Sequence, residues 1–242
     1  MGRMLITGSS RGIGREVARL ARRDGWDVVL HGRSPSPSLD ALAEELGAVA
    51  VACDATDRTA VREALEADGC RGDFDALVNC LGAVAPSQVL TDDDSIWMSQ
   101  YAVNVLGPVH FCQAVLPGML SQGWGSIVNV TSIRGLPSMA DADVAAYSAA
   151  KAALISVTTA LAREYAPTVR VNAVAPGFTM TDMSSSWSER VRGEVTSALL
   201  ERAARPEEIA ECIVFLASDR SSFVTGQVLL ADGGYELARP RN

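Results

Sequence analysis

Three glycines in the run Thr7-Gly8-Ser9-Ser10-Arg11-Gly12-Ile13-Gly14, set between a short apolar stretch and an amphipathic one, constrain this chain more than any other feature. The stretch Arg3–Ile6 predicts a strand and the pattern over 12–24 a helix, so the glycines fall at a strand-to-helix turn. Glycine lets the backbone turn sharply there, and a helix start offers unpaired N–H groups to an anion above it. With a second strand at Asp27–His31, the unit has the layout that cradles a dinucleotide pyrophosphate. Gly8, Ser10, Arg11, Gly12, Ile13 and Gly14 are the candidate contacts.

The same alternation continues along the chain. Apolar runs at Ala48–Ala52, Ala76–Asn79, Ser126–Thr131, Val169–Val174 and Gln227–Leu230 complete seven expected strands. Helical patterns at 38–46, 57–67, 95–121, 144–165 and 206–217 lie between them. Strands alternating with helices predict an α/β fold, a single Rossmann domain over 1–242 with a doubly wound, seven-stranded parallel sheet and helices on both faces. The connection at 178–205 is too long for a plain link and reads as a substrate lid; a short surface helix is the plainer alternative. Its polar run Ser184-Ser185-Ser186 is flanked by Met180, Met183 and Trp187.

Charge and composition exclude several classes. The net charge is −8 and no Lys/Arg cluster stands out, so neither nucleic acid nor an anionic membrane surface is an expected partner. No uninterrupted apolar run reaches membrane-span length and no signal peptide is expected. The five cysteines are scattered without C-x-x-C pairs, which suggests reduced thiols in a cytoplasmic protein. His31 and His110 are isolated, so no metal site is expected. Trp97 and Trp124 read as packing residues, and Trp187, within the lid, has the best claim on a substrate.

Tyr147 and Lys151 stand four apart in a predicted helix and share a face. A cation beside a phenol favours the phenolate, which makes tyrosine a usable proton donor near neutrality. The spacing T-G-x-x-x-G-x-G, followed in order by Asp54, Asn79-Cys80-Leu81-Gly82, Asn104, Ser132, Tyr147-Ser148-Ala149-Ala150-Lys151, Pro176-Gly177 and Asp232-Gly233-Gly234, resembles the short-chain dehydrogenase/reductase family along its whole length. The stretch from Val174 to Gly226 looks most like the 3-oxoacyl-(acyl-carrier-protein) reductase branch. The resemblance implies a catalytic set of Asn104, Ser132, Tyr147 and Lys151. Tyr147 would protonate a carbonyl oxygen that Ser132 hydrogen-bonds, Lys151 would lower the phenol pKa and hold the nicotinamide ribose, and Asn104 would anchor a water-linked relay. It further implies cofactor contacts from Asp54, Ala55, Asn79, Gly82, Thr179 and Thr181.

Two departures stand out. Cys80 occupies the second Asn position of the usual N-N-A-G, leaving only backbone contacts there. Ser132 and Tyr147 are 15 apart, longer than is usual, so the loop bearing Asp141 and Asp143 should reshape the pocket. The second strand ends at Gly32 and Arg33 with no acid to take a ribose 2′-hydroxyl, and Arg11 and Arg33 suit a 2′-phosphate, so NADP(H) is the expected cofactor. The expected function is NADPH-dependent reduction of a ketone, on a 3-oxoacyl thioester or on a free small-molecule ketone outside fatty-acid synthesis. Carrier docking in the 3-oxoacyl branch uses basic residues before the fifth strand, where this chain has Ser121-Gln122-Gly123-Trp124. A non-catalytic dinucleotide-binding protein is the alternative from another class. The helices at 95–121 and 144–165 resemble the family's dimerising pair, and a homotetramer, or a dimer, is expected. The polar tail Glu236–Asn242 reads as loose, although in the family such a tail can reach a neighbouring subunit's pocket.

Overall fold

Along the first strand Met4 and Ile6 point into one core and Leu5 into another, both fully buried, so this strand is covered on both faces. That burial is what parallel strands with helical crossovers require. The computed structural model describes residues 2–67, 70, 72–182, 184 and 187–238. Its seven strands are β1 (Arg3–Thr7), β2 (Asp27–Gly32), β3 (Val49–Ala52), β4 (Ala76–Asn79), β5 (Gly125–Val130), β6 (Val169–Pro176) and β7 (Val228–Ala231). They pair in parallel in the order β3-β2-β1-β4-β5-β6-β7. The chain winds outward from β1 one way to β3, then returns to β4 on the other side. The carboxyl ends of β1 and β4 therefore frame the crevice where such sheets bind ligands.

Helices α1 (Gly12–Arg23), α2 (Pro37–Leu46) and α8 (Pro206–Ala217) cover one face, where Val17, Leu20, Leu42, Ile209 and Ile213 join Met4, Ile6 and Val28. On the other face α3 (Arg58–Glu66), α5 (Gly107–Gln122) and α6 (Ala145–Tyr165) pack Val61, Phe111, Met119 and Ala162 against Leu5, Leu77 and Ile127. Local chemistry sets the ends. Ser36 caps α2 by accepting from the Leu39 N–H at 3.3 Å, and Gly47 closes it in the left-handed region. Pro206 opens α8, where a missing N–H costs nothing.

The helix expected over 95–121 is two helices joined by a π-turn. α4 (Asp94–Tyr101) runs into Ala102–Leu106, where the Gly107 N–H reaches back five residues to the Ala102 carbonyl, and α5 follows. The π-turn carries Asn104, in keeping with the habit of such turns to occur at functional sites. Asp94–Gln122 and Ala145–Tyr165 are long and apolar enough to cross a membrane by length and composition, yet both pack on the sheet and carry Asn104 and Lys151 to its carboxyl edge. In the connection expected to form a lid, Met180 and Ala204 pair at its base, with the Met180 N–H on the Ala204 carbonyl at 2.8 Å. It contains α7 (Glu189–Val195), capped by Ser188, the short surface helix of the plainer alternative. Met183, Ser185 and Ser186 lie outside the described residues, as do Arg239–Asn242. Glu236 is not loose: its N–H donates to Asp232 at 2.8 Å and its carboxylate accepts from the Ser138 hydroxyl at 2.9 Å.

Candidate active site

At the β1–α1 turn the backbone takes conformations that exclude side chains. Gly8 and Gly12 sit at φ +65° and +55°, and a Cβ on Gly14 would lie 2.4 Å from the Gly8 carbonyl oxygen. The turn is tied to β2 by Ser9, whose N–H and hydroxyl both donate to the His31 carbonyl. His31 completes the tie: the Gly8 N–H donates to its Nδ1 at 3.4 Å, so Nε2 carries the proton and donates to the Cys53 carbonyl at 3.0 Å. Burial holds the imidazole below its usual pKa, which keeps it neutral and Nδ1 free to accept. His31 is therefore structural, as expected, but its work is done on the glycine turn. His110 likewise bonds the Ala55 carbonyl through Nδ1, at 2.9 Å.

Above this turn opens a cavity of about 460 Å³, an ordinary size for a small-molecule site. Gly8, Ser10, Arg11, Gly12, Ile13 and Gly14 line its floor. Arg33, Asp54 and Ala55 line one end, and Gly82, Ser132, Tyr147, Lys151, Thr179 and Thr181 the other. Two expected site residues do not reach it. Asn79 is fully buried on β4, where Nδ2 donates to Asn129 Oδ1 at 2.9 Å, and Asn129 in turn donates to Thr158 Oγ1 at 2.9 Å. Its side chain links β4 to β5 and α6 and makes no wall of the cavity. Replacing Asn79 with Ala should lower stability by about 1–3 kcal/mol, because Asn129 Oδ1 is left buried without that donor, while the KM for the dinucleotide stays put. Urea denaturation beside steady-state kinetics checks this, and a raised KM at unchanged stability would contradict it.

Asn104 lies just behind the wall. It brackets the Ala83 peptide, donating to its carbonyl at 2.9 Å and accepting from its N–H at 3.3 Å, and it donates to the Gln100 carbonyl at 3.0 Å. Those bonds engage the side chain in holding the loop after β4. A Cβ on Gly82 would come 3.1 Å from Asn104 Oδ1 and 3.3 Å from Lys151 Nζ, so a larger residue there would have to shift one of these side chains by a few tenths of an ångström. At Cys80 the backbone contact survives the loss of the amide: its N–H donates to Thr7 Oγ1 at 3.0 Å. Burial pushes the Cys80 thiol up to about 12, against the pull of nearby Lys151, so it stays protonated.

Ser132 lies two residues past the end of β5, where it caps the short turn at residues 133–135, and Tyr147 and Lys151 stand one turn apart on α6. The Ser132 side chain acts on the Tyr147 phenol, favouring its charged form. Lys151 Nζ donates to the Val130 carbonyl at 3.0 Å and lies 5.7 Å from the centre of the Tyr147 ring. The electrostatics differ from the expectation that the ammonium lowers the phenol. Burial pushes the Tyr147 phenol up, and the groups working against it are Ser132 and Arg134. Burial pulls Lys151 down to about 8, with the Cys80 thiol opposing. The physical reason is lost hydration: both charged forms, phenolate and ammonium, are penalised when the pair leaves water. The phenol is therefore protonated, which is what a proton donor needs to be.

Sequence reasoning missed the cluster above this set. Phe178 meets the Trp187 ring edge-on at 5.6 Å and the Tyr235 ring at 5.2 Å, and the Arg134 guanidinium lies over it at 5.6 Å. Trp187 thus does wall the cavity. Trp124 packs away from it, its indole N–H on Asp75 at 3.1 Å. The long Ser132–Tyr147 loop forms two short turns, and its acids bind arginines: Asp141 bonds Arg134 at 3.1 Å, and Asp143 bonds Arg190 of α7 at 2.7 Å. All five cysteines are free thiols.

A glycine turn at a helix N-terminus, a parallel sheet with its switch point beneath, and a Ser–Tyr–Lys set at the far end of one cavity define a dinucleotide-dependent oxidoreductase. The family model described as enoyl-(acyl carrier protein) reductase matches residues 8–236, and the chain belongs to the short-chain dehydrogenase/reductase family, whose members act on alcohols and ketones with a nicotinamide cofactor. It is 36% identical to a 2-keto-3-deoxy-L-fuconate dehydrogenase from Xanthomonas campestris, over 96% of this chain and 79% of that one. It is 37% identical to a 3-oxoacyl-(acyl-carrier-protein) reductase from Thermotoga maritima, over 95% and 96%. A solved 3-oxoacyl-(acyl-carrier protein) reductase from Brucella melitensis superposes with a TM-score of 0.89 at 32% identity, covering 96% of this chain and 90% of that one.

Proposed function

We propose that this chain reduces a ketone to a secondary alcohol at the expense of NADPH, with a 3-oxoacyl thioester as the first substrate class. The observation that carries the reading is that Ser132 and the protonated Tyr147 share one cavity with the glycine turn and with Arg33. A dinucleotide held by the glycine turn at Gly8, Gly12 and Gly14 and by Arg33 would supply the hydride for the carbonyl carbon. Tyr147 gives its proton to the carbonyl oxygen, and the Ser132 hydroxyl stabilises the charge developing on that oxygen. Lys151, whose Nζ lies 5.7 Å from the centre of the Tyr147 ring, holds the nicotinamide ribose in this reading, and the proton is replaced through it from solvent. Thr179 and Thr181 line the same cavity, which supports their assignment to the nicotinamide end.

The preference for NADPH rests on the end of β2. Gly32 has no room for a larger side chain without moving Leu39, whose Cδ2 would be 3.0 Å from a Cβ there. The nearby carboxylate of Asp54 is turned to Thr56, accepting from its N–H at 2.9 Å and its hydroxyl at 2.8 Å. Arg11 and Arg33 are exposed on the same cavity. Arg33→Ala should raise the KM for NADPH about 10- to 100-fold, the value of one charge-assisted pair, and leave that for NADH within about twofold. Equal losses for both cofactors, or a wild-type preference for NADH, would sink this part of the reading.

A second substrate class, a free oxygenated ketone, is favoured by the charges at the mouth. Arg134 and Arg190 are already paired with Asp141, Asp143 and Glu194, so they offer an acidic carrier little attraction. The similarity to a sugar-acid dehydrogenase points the same way. NADPH oxidation with acetoacetyl-CoA, with carrier-linked acetoacetate and with free ketones separates the two. We extend the proposal to self-association as a homotetramer, supported by the exposed apolar side chains Met98, Tyr101 and Leu106 along α4–α5 and Leu229 on the edge strand β7.

A further inference from the structure

We infer that Glu194, on the lid helix α7, is a positioning residue for the reaction: it holds Arg134, and through it the turn that aims the Ser132 hydroxyl. The inference rests on the assignment of Ser132 and Tyr147 as the reacting pair. The chain of contacts begins at the catalytic serine. Ser132 Oγ accepts the Arg134 main-chain N–H at 3.1 Å, which occupies a lone pair and leaves the hydroxyl proton to point elsewhere, toward Tyr147 or a bound carbonyl. The conformation of the turn at residues 133–135 therefore sets the direction of that proton.

Two contacts fix the turn. On its inner side Gly135 lies flush on α6, where a Cβ would come 2.8 Å from the Lys151 carbonyl carbon, so the turn cannot sink further. On its outer side the Arg134 guanidinium is gripped: Nη2 donates to Glu194 Oε2 at 2.7 Å, and Nη1 donates to the Met139 carbonyl at 3.3 Å. Asp141 also faces Nη2, at 3.1 Å, and its own N–H donates to the hydroxyl of Ser148, the neighbour of Tyr147. Glu194 accepts in addition from the Tyr235 hydroxyl at 2.9 Å and pairs with Arg190, which in turn reaches Asp143. Lid, C-terminal segment and catalytic loop thus meet at one carboxylate.

These groups are partly withdrawn from water, with 16% of the Arg134 side chain and 20% of the Glu194 side chain exposed, so their bonds are screened less than a surface pair's. Glu194 is also the acid among them that the lid itself supplies. When α7 is docked the turn has its outer clamp; without Glu194, Arg134 keeps Asp141 and the Met139 carbonyl of its own loop and the face of the Phe178 ring. Docking of the lid and alignment of the serine are then one event.

Hydrogen–deuterium exchange on the full chain tests this without knowledge of the substrate. Glu194→Ala should speed exchange at residues 133–136 by about fivefold or more while leaving α1 as in the wild type, because only the outer clamp is lost. Glu194→Gln, which still offers an oxygen to Arg134, should fall between. With acetoacetyl-CoA and ethyl acetoacetate as probe ketones, kcat of Glu194→Ala should fall about tenfold with the Kd for NADPH within about twofold, as loss of one charge-assisted bond predicts. Faster exchange confined to residues 187–203, with 133–136 unchanged, would overturn the inference, as would a raised KM at full kcat. Should neither ketone be turned over by the wild type, the substrate reading fails, and the exchange pattern alone still decides the role of Glu194.

Discussion

Tyr147→Phe should lower kcat by about 10²- to 10⁴-fold while leaving the Kd for NADPH within a few fold, since the change removes one oxygen and no cofactor-facing carbon. The expectation follows from what surrounds that oxygen. The phenol is held protonated by burial, shares the cavity with Ser132, and stands one helical turn from Lys151, which burial pulls down to about 8. With that hydroxyl gone, water has to supply the proton, with poorer orientation. The residual rate is what positioning and the Ser132 hydroxyl still supply. Stopped-flow oxidation of NADPH separates this loss from binding. A variant retaining more than about a third of the wild-type kcat would mean that another group delivers the proton, and the mechanism would have to be redrawn.

Gly14→Ala is expected to be nearly as damaging by a different route. Its Cβ would lie 2.4 Å from the Gly8 carbonyl oxygen and 2.9 Å from the Gly8 carbonyl carbon, both backbone atoms of the turn that is pinned to β2 through Ser9 and His31. A flexible side chain could swing aside, but this wall cannot. The turn must open or α1 must slide, costing about 2–4 kcal/mol of stability and about 100-fold or more in NADPH affinity. Gly193, in α7, makes an instructive pair. Nothing lies within 4 Å of a Cβ built there, so Gly193→Ala should leave cofactor affinity unchanged and raise helix stability by up to about 1 kcal/mol. Thermal unfolding and NADPH fluorescence titration read both variants. Equal behaviour of the two would show that the glycine turn is not the rigid cradle described here.

These two positions also mark the boundary of what the sequence discloses. Gly14 was legible because a strand-to-helix turn is local: the glycines, the apolar run before them and the amphipathic run after them lie within one short window. The seven strands were legible for the same reason, each to within a residue or two of its ends. That the Asn79 side chain faces Asn129 and not the cavity could not be read from the sequence, because β4 is buried on both faces and a period of two no longer says which side chains face a ligand. The phenol's environment was misread because burial is a property of the assembled fold, and the helical spacing of Tyr147 and Lys151 carries only the pairwise attraction. The π-turn at Ala102–Leu106 left no mark in the apolar periodicity, which runs straight through it. Glu194 was invisible for a further reason. Its partners Arg134, Asp141 and Tyr235 come from three separate segments, and no spacing rule joins them. The loop carrying Asp141 and Asp143 did stand out by length, and length was the one available sign that something unusual had been built there.

The most direct test of the account is the crystal structure of the chain with NADP⁺. The pyrophosphate should rest on the start of α1 at Gly12–Gly14, the 2′-phosphate between Arg11 and Arg33, and the nicotinamide between Ser132 and Thr179, with its C4 facing the space beside the Tyr147 hydroxyl. A dinucleotide bound outside this cavity, or a nicotinamide ring whose C4 faces away from Ser132 and Tyr147, would contradict it.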